Sequence, residues 1–312
     1  MPTEVPVLAV VGATGTGKSE LALRLAEHLG GEVVNADAMQ LYRGMDIGTA
    51  KLSSAERRGI PHHQLDVLDV TQEASVAAYQ RGARADIDDI RSRGRVAILV
   101  GGSGLYVRAA LDRLEIPPTD ASVRSHLEAE ALRLGTPTMY AALQERDPVA
   151  ASAIEPGNTR RIVRALEVIE LTGRPFSATM PTRDFLTPTV VIGLTADRPT
   201  LDDRLDARVE RMWAHGMVDE VRHLAENGLR DGRTARTAIG YAQALAQVDG
   251  LLDEAAAKEQ TALATRRFAR RQQSWFRPDD RITWFDTTDV DVGLGDALEG
   301  ATVQWRGMTD NG

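Results

Sequence analysis

Eight residues near the start of the chain restrict its fold more than any others. Gly12-Ala13-Thr14-Gly15-Thr16-Gly17-Lys18-Ser19 matches G-x-x-x-x-G-K-[ST] without a gap. The apolar run Val7 to Val11 precedes it, and Glu20-Leu21-Ala22-Leu23-Arg24-Leu25-Ala26 follows with helical spacing. Between a strand and a helix the glycines let successive backbone N–H groups converge on phosphate oxygens at the helix N-terminus. Gly12 through Ser19 are therefore expected to bind a diphosphate or triphosphate. Lys18 would reach the terminal phosphate and the Ser19 hydroxyl would ligate Mg²⁺. The pattern arises by chance in about one such chain per hundred, and the flanking strand and helix lower that further. The loop alone does not separate kinase, ATPase and transferase.

Further short apolar runs follow at residues 32–34, 96–100, 190–194 and 282–285, most of them separated by helical patterns. Strand–helix alternation predicts an α/β fold, a P-loop NTPase-like parallel sheet with helices on both faces. The alternation stops between Pro117-Pro118 and Pro188. Helices are predicted there at 122–134, 138–146 and 158–171, cut by Pro137, Pro148 and Pro156, with no strand candidate. The expected organisation is a P-loop core over 1–118, an all-helical insertion over 119–187, and the rest of the core with C-terminal helices over 188–312. Helices are predicted at 201–215, 218–227 and about 253–276, with a frayed tail from Gly307.

Composition narrows the setting. Of 312 residues, 43% are hydrophobic and 26% charged, ordinary for a globular chain with a real core. No long uncharged apolar run predicts a membrane span. The first ten residues lack a basic segment and read as a core strand, not a leader peptide. The absence of cysteine excludes disulfides and thiolate zinc sites and suits a reducing cytoplasm. A net charge of −8 argues against a wholly basic nucleic-acid coat but not against a local basic groove. Of the 37 basic residues only Lys18, Lys51 and Lys258 are lysine. That excess suits bidentate phosphate contacts, and a GC-rich genome would also produce it.

Asn35-Ala36-Asp37-Ala38-Met39-Gln40 follows the second predicted strand. Ligands of open parallel sheets gather at the carboxyl ends of strands, which puts Asp37 beside the phosphate loop. There it would act as a general base or a Mg²⁺ ligand. Spacing alone equally allows a turn or helix-capping aspartate.

Several longer words carry a resemblance. Residues 37–51, Asp-Ala-Met-Gln-Leu-Tyr-Arg-Gly-Met-Asp-Ile-Gly-Thr-Ala-Lys, resemble a signature of the bacterial tRNA dimethylallyltransferase (tRNA isopentenyltransferase) family. So do Pro61-His62-His63, Val100-Gly101-Gly102-Ser103-Gly104-Leu105-Tyr106, residues 160–168, Ile239-Gly240-Tyr241 and residues 265–276, in order from about residue 6 to 285. The resemblance implies a P-loop core with a helical insertion. It also implies transfer of a dimethylallyl group from dimethylallyl diphosphate to N6 of the adenine next to the anticodon (position 37), in tRNAs reading codons that begin with U. The loop would then hold the diphosphate of an isoprenoid, with Mg²⁺. Asp37 matches the family's catalytic aspartate, Thr14 a threonine near the reacting centre, and Arg208 a cation for the leaving group. The tRNA anticodon stem-loop would be read by residues matching Asp37, Ala38, Met39, Gln40, Ser103, Arg124, Arg160, Arg161, Arg164, Arg236, Gly240 and Tyr241. The family also implies a cytoplasmic monomer.

The residues agree with that chemistry. The attacking amine must lose a proton, and the departing diphosphate needs cations and N–H donors. Arg160 and Arg164 lie one helical turn apart, with Arg161 beside them, and would grip phosphates or stack on splayed bases; taken singly, each also suits a solvated face paired with Glu167 or Glu170. Arg266, Arg267, Arg270 and Arg271 form two i,i+4 rows, some expected to face RNA and some to hold the helix. His62-His63 is read as structural, not metal-binding, and Phe268, Gln272 and Trp275 as a core stripe rather than a base-stacking platform. Ala13, Ala38, Ser103 and Ala242 depart from the family's usual proline, serine, threonine and basic residue, and none removes a catalytic group. Three rivals stand beside this reading: an adenylate isopentenyltransferase acting on free nucleotide, an ATP-dependent kinase, and an RNA-binding module with a vestigial loop. The insertion and its arginines favour RNA over free nucleotide. The signature words do not fit a kinase, and intact Lys18, Ser19 and Asp37 argue against decay.

Overall fold

The computed structural model describes residues 5–179 and 183–310. Six strands form one parallel sheet: β1 (Val7–Gly12), β2 (Gly31–Asn35), β3 (His62–His63), β4 (Val96–Gly101), β5 (Thr189–Thr195) and β6 (Ile282–Asp286). Their order is β3-β2-β4-β1-β5-β6. Every residue of β1, β2 and β4 is buried, as the unbroken apolar runs require of strands covered on both faces. The five predicted strands are present. The two-residue edge strand β3 was not predicted, because two histidines carry no hydrophobic periodicity to read.

The helices are α1 (Lys18–Leu29), α2 (Val76–Ser92), α3 (Gly104–Leu111), α4 (Ala121–Leu134), α5 (Thr136–Arg146), α6 (Pro148–Ala153), α7 (Thr159–Thr172), α8 (Arg198–Ala214), α9 (Met217–Glu226), α10 (Tyr241–Val248), α11 (Glu254–Phe276) and α12 (Val290–Asp310). Helices α1 and α12 cover one face of the sheet, burying Leu21, Leu25, Leu294 and Ala301 against Leu8, Val10, Ile98 and Ile192. Helices α2, α3 and α11 pack on the other. A second apolar cluster joins Tyr42 and Met45 to Val209, Met217, Val221 and Tyr241 of α8, α9 and α10.

Two expectations change. The tail is helical past Gly307: α12 runs through Asp310, held by Leu294, Ala297 and Ala301, which are buried up to its middle, with its last turns on the surface. Pro137 and Pro148 do not simply cut helices. They occupy the first turns of α5 and α6, where a missing N–H costs nothing.

The chain forms two compact units. One contains the sheet, and the other spans Asp112–Asp184 with α4 to α7; the insertion was expected over 119–187. The second unit has its own core of Leu127, Leu143, Ile154, Ile162 and Leu166. Two carboxylates tie it together. Asp147 caps α6 through Ala150 N (3.0 Å) and accepts from Ser177 N and Oγ (2.7 and 2.9 Å). Fully buried Glu167 accepts from Asp120 N, Arg124 and Arg164 at about 3 Å.

Candidate active site

The parallel order brings the carboxyl ends of β1, β2 and β4 side by side, so the loops after Gly12, Asn35 and Gly101 meet. Gly12 turns at φ +139°, and a Cβ there would sit 2.3 Å from the Leu194 carbonyl oxygen of β5. Only glycine allows that approach. The loop then rises over α1, with Thr16 buried and its hydroxyl on Ala13 O at 2.9 Å.

Two cavities share a wall here. A polar cleft of about 1120 Å³ is lined by Thr14, Lys18, Ser19, Asp37, Arg57 and Arg208, among others. A smaller chamber of about 330 Å³ is bounded by apolar groups from Met39, Val209, Met212, Ile239 and Phe268. Thr14, Asp37, Thr49, Arg208 and Met212 line both.

Lys18 on the cleft and Arg208 on the shared wall have no anionic partner within bonding distance among the described residues. Lys18 Nζ donates to Ala13 O of its own loop at 2.7 Å. Desolvation lowers its pKa to about 8; Asp37 partly opposes the shift and Arg208 adds to it. Arg208 Nη1 donates to Thr14 Oγ1 at 2.9 Å, while its Nε is buried without a partner. Burial lowers the pKa of Arg208 too, against the field of Asp37. Two desolvated cations beside the phosphate loop are groups that an anion would complement.

Asp37 has the turn geometry that its spacing allowed. Its Oδ1 accepts Met39 N at 2.9 Å, closing a turn, and Asn35 Oδ1 fixes its own N–H at 2.9 Å. No described residue bonds Oδ2, and the side chain faces both cavities. Ser103 accepts Ala38 N at 3.3 Å, so its hydroxyl steadies this segment. Gln40 donates to Thr49 O at 3.1 Å.

Of the residues read as a core stripe, Gln272 does lie inside. Its amide ties two loops together. Oε1 accepts Thr14 N at 2.9 Å and Nε2 donates to Gly102 O at 3.0 Å. Phe268 instead lines the chamber, and Trp275 is 50% exposed, so neither belongs to a closed core stripe. The signal was one polar residue amid apolar spacing.

Other singled-out residues separate into groups. Arg124 and Arg164 hold Glu167, and Arg164 also donates to Pro117 O and Pro118 O, both at 2.9 Å. Arg160 and Arg161 are exposed, with no ion pair among the described residues. Arg236 is exposed and donates to Arg230 O. Tyr241 is wholly buried and donates to Glu220 at 2.6 Å, so its side chain is not at the surface for RNA. On α11, Arg266 pairs with Asp206 and Arg271 lies over the Phe268 ring, while Arg267 and Arg270 are exposed. His62 bonds Ile60 O and His63 bonds Glu32, each at 2.8 Å. Among the described residues no helix is long and apolar enough to cross a membrane.

Comparison with known proteins shows the family. The family model described as IPP transferase matches residues 40–279. The tRNA dimethylallyltransferase of Thermobifida fusca is 60% identical over 97% of this chain and 98% of its own, and that of Kineococcus radiotolerans is 59% identical over 91% and 92%. The crystal structure of the full-length tRNA isopentenylpyrophosphate transferase of Bacillus halodurans superposes with a TM-score of 0.71 at 38% identity, covering 98% of both chains. A eukaryotic dimethylallyltransferase acting on tRNA gives 0.79 at 28% identity, covering 92% of this chain and 75% of its own. The chain belongs to the IPP transferase family, with the tRNA dimethylallyltransferases as its near relatives.

Proposed function

We propose that this prenyltransferase moves a dimethylallyl group from dimethylallyl diphosphate to N6 of the adenine next to the anticodon (position 37) in tRNAs reading codons that begin with U. One observation carries the mechanism: Arg208 and Asp37 stand on the wall shared by the cleft and the apolar chamber, with under-partnered Lys18 on the cleft side. The diphosphate fits the cationic cleft and the phosphate loop. The five-carbon chain fits the apolar side.

N6 attacks the allylic carbon, the C–O bond to diphosphate breaks, and the amine proton passes to the free oxygen of Asp37. Lys18, the loop N–H groups and the Arg208–Thr14 pair meet the charge growing on the leaving group. Gln272 keeps Thr14 in register with Gly102. The donor set also fits Mg²⁺. Ser19 is exposed on the cleft, and the oxygens of Ser19 and Asp37 are hard ligands. When bound, the ion would neutralise diphosphate charge. The proposed RNA contacts are the segment from Asp37 to Gln40, Ser103 and the free arginines Arg160 and Arg161, in a cytoplasmic monomer.

The free-nucleotide reading is weaker, because the near relatives bear the name tRNA dimethylallyltransferase. The test supplies radiolabelled dimethylallyl diphosphate and Mg²⁺ with unmodified tRNA, AMP or ATP. Label in tRNA alone is expected. Label in AMP or ATP would replace this reading with the nucleotide enzyme.

A further inference from the structure

Residues 46–51 wall the site. Asp46, Ile47 and Lys51 line the cleft, Gly48 the chamber and Thr49 both. Two anchors hold this loop. Lys51, almost wholly buried, donates to Tyr42 O (2.8 Å), Asp46 (2.7 Å) and Asp66 (2.6 Å). The second anchor is Glu220 of α9. Its Oε1 accepts Asp46 N (3.2 Å) and Tyr241 OH (2.6 Å), and its Oε2 accepts Ile47 N (2.9 Å). Glu220 has no cationic partner among the described residues; backbone N–H groups and a phenol satisfy it. Behind it the loop sits flush on Tyr241. A Cβ on Gly48 would lie 2.4 Å from the Tyr241 ring and 2.8 Å from Met217 Cε.

From Glu220 a chain of contacts reaches the reacting wall. Ile47 leads to Thr49, whose carbonyl accepts Gln40 Nε2, and Gln40 directly follows the turn that Asp37 closes on Met39 N. We propose that Glu220 is a positioning residue: by docking residues 46–51 onto α9 and Tyr241 it sets the placement of the segment from Asp37 to Gln40, and hence the proton-transfer step. This rests on the proposed transferase reading. It explains why a carboxylate stands there. Glutamine would keep the shape but turn an amide donor toward a backbone N–H. The groups that hold Lys18 and Thr14, namely Ala13, Gln272 and Arg208, lie outside this loop, so the diphosphate's main cation contacts keep their own supports.

The experiment compares wild type with Glu220→Gln in the tRNA prenylation assay, alongside binding of inorganic diphosphate by calorimetry and circular dichroism for folding. The expected result is a folded variant whose kcat falls about tenfold while KM for dimethylallyl diphosphate and the diphosphate affinity stay within about twofold. An unchanged kcat in folded Glu220→Gln would overturn the proposal, as would an equal loss of diphosphate affinity. If Glu220→Gln does not fold, Gly48→Ala lifts the same loop from Tyr241, and the same kcat-specific loss is required of it. Wild type that binds diphosphate but prenylates no tRNA would instead remove the underlying reading.

Discussion

The phosphate loop and the helical unit 112–184 treat cations in opposite ways. In the helical unit, Arg124 and Arg164 converge on Glu167, which is buried and accepts from both. At the phosphate loop, Lys18 has one backbone carbonyl and Arg208 has one hydroxyl, and both lose water without gaining an anion within bonding distance. The first arrangement is finished and holds structure. The second is left open among the described residues, as the proposed diphosphate site requires. Arginine count does not tell the two apart, but the partners of each arginine do.

The largest test removes the base between these cations. Asp37→Ala is expected to lower kcat by about 10³-fold with tRNA affinity kept, measured by single-turnover prenylation and filter binding. Near-normal turnover would break the site half of the comparison.

Next comes the finished side. Glu167→Ala leaves Arg124 and Arg164 without their shared carboxylate and is expected to cost about 3 kcal/mol in denaturant unfolding of the helical unit. A loss below about 1 kcal/mol would mean that the pair behaves as an exposed one, and the contrast would fail.

A pH series sharpens the incomplete side. The folded pKa of Lys18 lies near 8, below its ordinary 10.5, so the free enzyme loses this charge as pH rises through about 8. The folded protein releases the proton earlier than the unfolded chain, so this group favours folding more as pH climbs from 8 toward 10.5. Ligand affinity runs the other way. Binding of inorganic diphosphate should weaken above pH 8 and take up a proton near it, read by calorimetry in buffers of different ionisation enthalpy. Lys18→Met should bind weakly at every pH and show no inflection. The same inflection in that variant would assign the titration elsewhere.

The smallest effect belongs to the free arginines of α7. Arg160→Ala and Arg161→Ala should each weaken tRNA binding about threefold and reduce the salt slope by about one, leaving KM for dimethylallyl diphosphate unchanged. Unchanged salt dependence would place them with the solvated arginines.

Much of this was readable in the chain. Val7 to Val11, the eight loop residues and the following helix announce themselves locally, since a strand, a turn and a helix each have a short period. The helical insertion showed as a stretch without a strand candidate. Pro148 misled because proline opens helices as well as ending them, and α12 was missed because its buried Leu294, Ala297 and Ala301 sit among glycines and exposed valines. Glu220 gave no local signal of its role and Gln272 only that of a polar residue amid apolar spacing, because each works through backbone groups of distant loops.

The sequence by itself determined the phosphate loop, the parallel sheet and the residue types gathered near it, because these follow from patterns a few residues long. Only the tertiary structure decided which charges stay open. Arg208 meets Thr14 across 194 residues and Gln272 meets it across 258, while Arg124 finds Glu167 across 43. Whether a cation is satisfied depends on what the fold brings within about 3 Å, and no local spacing carries that information.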